Sequence, residues 1–147
     1  MKSQTNVINK KAKFEYEFIQ NYTCGIVLAG SEVKSIREGK VSLSESYCVF
    51  INGELFIKNS NISELKTSFG HKSNQDRKLL LKKQELNRLQ KDLIKGLTII
   101  PYRIFIDDRG LIKVEIVLAR GKKLHDKRES IKIKDIKKEI SRTIKNN

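Results

Sequence analysis

An Asn-Gly pair, Asn52-Gly53, separates two short apolar runs, Tyr47-Cys48-Val49-Phe50-Ile51 and Glu54-Leu55-Phe56-Ile57. A two-residue hairpin turn needs positive φ at both central positions, and Asn followed by Gly reaches that geometry at little cost. The two runs are therefore read as an antiparallel hairpin, the firmest local commitment in the chain. Other strand signals surround it. Phe14-Glu15-Tyr16-Glu17-Phe18 alternates aromatic and acidic residues, the period of a half-buried strand, and Cys24-Gly25-Ile26-Val27-Leu28-Ala29 is a short apolar run that stops at Gly30. Later, Leu97-Thr98-Ile99-Ile100, Arg103-Ile104-Phe105-Ile106 and Lys113-Val114-Glu115-Ile116-Val117-Leu118 are rich in β-formers. Asp107-Asp108-Arg109-Gly110 joins the last two, and Pro101 marks a bulge or an edge because it has no N–H for a ladder.

Two segments carry helical spacing instead. Residues 31–38 begin with a capping Ser31, place Glu32 in the first turn, set Val33 and Ile36 three apart and stop at Gly39. From Arg77 to Lys95, Leu79, Leu86, Leu89 and Leu93 recur at helical spacing among basic residues, with Gly96 as the closing cap, so this stretch is read as a basic amphipathic helix. Residues 59–76 are polar and irregular and read as a surface loop.

A chain of 147 residues suits one domain with one core. Many short strands, hairpin turns and two to three helices predict a mainly β fold: a small closed antiparallel barrel of the oligonucleotide-binding (OB-like) type, since closure removes exposed strand edges. The expected organisation is a basic leader over 1–13, the barrel over 14–119 and a basic tail over 120–147. In the tail, Ile133, Ile136, Ile140 and Ile144 make a narrow stripe at helical spacing. So short a helix is marginal alone and is expected to order on a partner.

The net charge of +14 favours a polyanionic partner, because each phosphate neutralised by Lys or Arg releases condensed counterions. Part of the surplus also fits a solvated Lys-rich surface, the lesser reading, so its location matters more than its size. The leader carries +4, residues 14–76 carry −2, residues 77–95 carry +5, residues 96–119 are neutral and the tail carries +7. Cys24 and Cys48 stand 24 positions apart without metal-type pairing and read as small core residues in a reducing compartment. No apolar run approaches the roughly 18 residues that span a bilayer, and the N-terminal residues lack an apolar signal core, so a cytoplasmic location without membrane contact is expected.

Catalytic signals are sparse. There are two His residues, no phosphate-cradling glycine loop and no recognisable nucleophile setting, so no catalytic residue and no cofactor is assigned. Asp107-Asp108 is compatible with metal-dependent nuclease chemistry but reads more simply as a solvated turn, and no metal site is assigned.

Four blocks carry a family resemblance. They are Asn9-Lys10-Lys11-Ala12-Lys13; Gly30-Ser31-Glu32-Val33-Lys34-Ser35-Ile36-Arg37-Glu38-Gly39-Lys40; Asp76-Arg77-Lys78-Leu79-Leu80-Leu81; and Leu118-Ala119-Arg120-Gly121-Lys122-Lys123-Leu124-His125-Asp126-Lys127-Arg128. In order, and over nearly the whole chain, they resemble the SmpB family of transfer-messenger RNA-binding proteins. The resemblance implies a barrel that grips the elbow of the tRNA-like domain of that RNA. It also implies delivery of alanyl-charged transfer-messenger RNA, with elongation factor Tu and GTP, to stalled ribosomes for trans-translation. The tail is then expected in the small-subunit decoding centre and the empty mRNA channel. A closed barrel gives no reason to expect anything but a monomer.

The residues expected at the transfer-messenger RNA surface are Asn9, Lys10, Lys11, Lys13, Glu32, Lys34, Ser35, Arg37, Lys40, Arg77, Lys78 and Leu80. Lys34, Arg37 and Lys40 recur at three-residue steps and can present charge to a phosphate path. Glu32 is alternatively a capping acid or an ion-pair partner for those bases. Asn9 suits a base edge or a 2′-hydroxyl, and equally a turn. Leu79, Leu80 and Leu81 cannot all face inward, which leaves one either to pack on an unstacked base or to fill the core at a strand-to-helix change. The residues expected to meet the ribosome are Lys122, Lys123, His125, Asp126, Lys127, Arg128, Lys132, Lys134, Lys137 and Lys138, with His125 either an exposed tail residue or a stacking group on rRNA bases. Three departures stand out. Thr23-Cys24 precedes Gly25 where the family usually has Glu-Ala, His71-Lys72-Ser73-Asn74-Gln75 lacks the family's Asp-Pro and arginines, and Ile131-Lys132-Ile133-Lys134 is more apolar than usual, which places the expected helix start near Asp135.

Overall fold

A computed structural model of the chain describes residues 5–64 and 72–122. The Asn-Gly hairpin is present: β4 (Tyr47–Ile51) and β5 (Glu54–Lys58) pair with Ile51 opposite Glu54. Asn52 and Gly53 both have positive φ, 52° and 79°, as the tight turn demands.

The two strands expected from residues 14–18 and 24–29 are one. Ala12–Glu15 form a single helical turn, α1, and Tyr16–Ile26 run on as β2, with a register shift between Phe18 and Gln20. Likewise β8 (Thr98–Ile106) joins two expected runs through a register shift between Pro101 and Arg103, as the missing proline N–H requires. β9 (Ile112–Gly121) pairs with β8 and β2 and places Arg120 opposite Glu17. Ahead of α1, β1 (Asn6–Ile8) pairs with Arg103–Phe105 of β8.

The stretch from Arg77 to Lys95 is not one helix. Residues Arg77–Leu80 form β7, and α3 begins only at Lys83 and ends at Ile94. Burial explains the change: Arg77 and Leu79 point inward while Lys78 and Leu80 point outward, a period of two. Within α3 the stripe holds, with Leu89 fully buried and Leu86 and Leu93 packed on the same core, and Gly96 closes the helix at φ 85°. The shorter helix, α2, spans Gly30–Arg37 with Ala29 at its N-cap, two residues earlier than a Ser31 cap would set it. Residues 59–64 are not featureless loop: β6 (Asn61–Ile62) pairs with β3 (Val41–Ser42), and Ile62 is core.

Among the described residues, the main sheet is antiparallel with strand order β1-β8-β9-β2-β7-β5-β4. Ile36, Leu55, Ile57, Leu79, Leu89, Ile99, Ile104 and Ile116 fill one core, with Cys24 and Cys48 inside it as expected. The fold is thus mainly β with three helices, but the expected closed barrel is not formed by this pairing. Closure needs a further ladder between β4 and β8, which approach each other without pairing. At the seam, Pro101 of β8 has no N–H, and Asn9 takes the Tyr102 carbonyl with its backbone N–H and the Pro101 carbonyl with Nδ2. The seam holds a polar depression of about 300 Å³ instead, bordered by Asn9, Ser46, Tyr47, Thr98 and Ile100.

Candidate nucleic-acid interface

Gly25 and Ile26 of β2 pair with Leu80 and Leu79 of β7, which brings the end of β7 beside α2 and the β8–β9 turn. The space between them is an open groove of about 360 Å³ with a largely apolar lining that includes Ile26, Leu28, Val33, Leu80 and Leu111. Leu80 is half exposed, as are Val27 and Leu111, an uncommon grouping for a surface that would otherwise be solvated. Arg37 and Lys113 also line the groove, and neither has an ion-pair partner among the described residues. Lys34, on the exposed side of the same helix, is equally unpaired among the described residues. An apolar floor with free cations at its rim can hold an unstacked base while engaging the flanking phosphates.

Lys40 does not extend the Lys34–Arg37 face. The helix ends at Arg37, Gly39 at φ 76° redirects the chain, and Lys40 is exposed beyond it, 3.2 Å from Glu38. Lys78 is half-buried on β7 with its ammonium 2.9 Å from Glu54.

Four of the expected surface residues are buried: Ser35, Glu32, Arg77 and, at the seam, Asn9. Ser35 is buried and donates to the Ser63 carbonyl at 2.7 Å. Glu32 and Arg77 are each 2% exposed and ion-paired with one another. Glu32 accepts the Ala29 N–H through Oε1 at 2.9 Å, capping α2, and the Arg77 Nε–H through Oε2. The remaining Arg77 N–H groups donate to the Ser60 carbonyl and hydroxyl and to the carbonyls of Lys72, Ser73 and Gln75. Removing one partner of such a pair leaves an uncompensated buried charge, a cost of about 3–5 kcal/mol.

The leader residues sit elsewhere. Asn9 is buried at the seam, where its backbone and Nδ2 hold the turn, while its Oδ1 is buried without a partner among the described residues. Lys10 is exposed, Lys11 lies 3.6 Å from Glu45 across the seam depression, and Lys13 stands 5.3 Å over the Tyr102 ring. Lys122 is half-buried, its N–H donating to the Glu15 carbonyl. Lys123, His125, Asp126, Lys127, Arg128, Lys132, Lys134, Lys137 and Lys138 lie outside the described residues, as does the expected helix start at Asp135.

Asp107 uses Oδ1 to accept the N–H groups of Arg109 and Leu111, both at 2.9 Å, which is a turn-holding role. Among the described residues no group of three or more His, Cys, Asp or Glu side chains could hold a metal ion, and no helix is long and apolar enough to cross a membrane.

A family model described as "SmpB protein" matches residues 6–146. The chain belongs to the SmpB family. It is 52% identical over 145 residues to the SsrA-binding protein of Christiangramia forsetii, covering 97% of this chain and 92% of that protein. The SsrA-binding protein of Cytophaga hutchinsonii is 56% identical over 140 residues, covering 93% and 92% of the two chains. Among solved structures it is similar to a chain from "tmRNA-SmpB: a journey to the center of the bacterial ribosome", with a TM-score of 0.69 and 41% identity over 86% of this chain and 94% of that one.

The SmpB signature block around Glu32 thus contributes both an inside and an outside: Glu32 and Ser35 hold the helix down, and Lys34 and Arg37 face out. Leu111 and Lys113 complete the groove although nothing in their local sequence marks them. They reach it through the β8–β9 turn, a long-range placement that only the sheet order reveals.

Proposed function

We propose that this chain binds the tRNA-like domain of transfer-messenger RNA and carries it to stalled ribosomes for trans-translation. The observation that carries the reading is one apolar groove shared by the half-exposed Leu80 and the cation Arg37 of the SmpB signature, with Lys34 exposed on the same helix. In this reading the groove meets the elbow of the RNA, with Leu80 against an unstacked base and Lys34, Arg37 and Lys113 along the phosphate path. Asn9 and Lys11 border a separate polar depression at the β4–β8 seam, and with their chain neighbours Lys10 and Lys13 they form a second RNA surface in this reading. The tail over 120–147 occupies the decoding centre and the empty mRNA channel, and alanyl-charged RNA arrives with elongation factor Tu and GTP. The names of the relatives, SsrA-binding proteins, and a structural neighbour described with tmRNA and the ribosome support this reading. The protein acts as a non-catalytic carrier in the cytoplasm and as a monomer.

The test is tagging of a nascent chain on a message without a stop codon, with the full chain and with a chain ending at Arg120. Truncation is expected to spare RNA binding and abolish tagging. Equal affinity for unrelated single strands, or tagging that survives truncation, refutes the corresponding half of the proposal.

A further inference from the structure

The Glu32–Arg77 pair joins two of the elements that line the groove, α2 and β7. Glu32 belongs to α2, one residue before Val33 and five before Arg37. Arg77 opens β7, three residues before Leu80. Through Oε1 the same carboxylate caps the start of α2, and through Arg77 it is tied to Ser60, Lys72, Ser73 and Gln75. The helix is held from other sides as well: Thr5 Oγ1 donates to the Ile36 and Arg37 carbonyls at 3.0 and 3.2 Å, Ser35 donates to Ser63, and the Ser63 N–H donates to the Lys40 carbonyl. Arg37 and Lys34 therefore project from a helix whose depth and rotation are fixed against β7.

We infer that Glu32 and Arg77 are positioning residues for RNA binding: they touch no RNA, and they set the register between the α2 cations and Leu80. This rests on the groove being the RNA surface. A buried guanidinium with its N–H groups directed to a carboxylate, four carbonyls and a hydroxyl has no donor left for a phosphate. Its planar fork is what the site uses, and a lysine ammonium, a point charge with three donors, cannot reproduce it.

The test compares Arg77→Lys, Glu32→Gln and the double variant in the full chain. Affinity for transfer-messenger RNA is measured at a temperature where circular dichroism shows each variant folded, together with amide hydrogen exchange across α2. A positioning role predicts that Arg77→Lys weakens binding by roughly tenfold although charge is kept, that exchange in α2 quickens, and that the double variant is no weaker than the worse single one. Near-unchanged affinity of folded Arg77→Lys overturns the inference, because a direct phosphate contact tolerates Lys and a purely structural residue does not alter affinity once folded. Additive losses in the double variant also overturn it. If neither charge variant folds, Ser60→Ala removes only the hydroxyl acceptor of Arg77; a folded variant with about two- to fivefold weaker binding supports the lock, and unchanged binding overturns it. Failure of the wild-type chain to prefer transfer-messenger RNA instead defeats the functional reading, and the two failures are read from different samples.

Discussion

Gly25 faces Leu80 across the β2–β7 ladder, and a Cβ placed on Gly25 would stand 3.3 Å from the Leu80 Cβ. The glycine lets Leu80 lie close over β2 with its end half exposed in the groove. Gly25→Ala has no φ penalty, so its stability effect is expected within about 1 kcal/mol of zero: the unfolded chain loses freedom while Leu80 must shift by a few tenths of an ångström. RNA affinity is expected to fall more than stability does. Leu80→Ala should cost little stability, because the side chain is half exposed, yet weaken RNA binding by about 1 kcal/mol or more. Urea unfolding beside a binding titration checks both; unchanged affinity in Leu80→Ala removes the base-packing role.

Lys34 and Arg37 are assigned phosphates, so their loss should read out as ionic-strength dependence. Lys34→Ala and Arg37→Ala are each expected to lower the slope of log affinity against log salt by about 1, with little change in unfolding midpoint because neither is ion-paired among the described residues. Glu54→Gln, which frees Lys78 from its 2.9 Å pair, is the contrasting variant and should leave the slope nearly unchanged if Lys78 lies off the path. A slope insensitive to Lys34 and Arg37 would place the RNA on another face.

The Asn-Gly hairpin, the Gly39 and Gly96 helix stops and the Pro101 bulge were legible because each is a local φ or N–H requirement that one or two residues announce. What was not legible is long-range. The burial of Arg77 depends on Glu32, 45 positions away, and on loop carbonyls that no pattern identifies as acceptors. A basic residue at the head of a leucine-rich run therefore read as exposed helix. The seam is similar: Asn9 takes two carbonyls of β8, one of them 92 positions away, and no local pattern announces it. Lys34 and Arg37 could be placed from the sequence, whereas Leu111 and Lys113 needed the sheet order.

Thr5 secures the far end of α2 from outside the signature. Its hydroxyl is shared between the Arg37 carbonyl and the Ile36 carbonyl, which also accepts the Gly39 N–H. Thr5→Val keeps the shape and is expected to cost about 1 kcal/mol in urea unfolding, with an unchanged slope in denaturant. A loss near zero would mean that water replaces the hydroxyl there.

Burial pushes the Cys24 thiol up from 9.0 to about 12 and holds the Cys48 thiol well above its ordinary range, with the Cys24 group adding to the effect. The folded state thus keeps protons that the unfolded chain releases once pH passes the ordinary thiol value near 9.0. With more protons bound when folded, stability must fall as pH rises. The loss should begin near pH 9 and continue to about pH 12 for Cys24. Below pH 9 both states hold the protons and the thiols contribute no slope. Burial also raises the Tyr22 hydroxyl, which adds a decline of the same sign at higher pH. Unfolding midpoints of wild type and Cys24→Ala between pH 8 and 11, a range bracketing the free thiol's titration, are the measurement. Cys24→Ala should flatten part of the decline, and alkylation of both thiols at pH 8 should be slow until denaturant is added, since the thiolate is the reactive form. Rapid labelling of the native chain would show that β2 and β4 open far more readily than their packing implies.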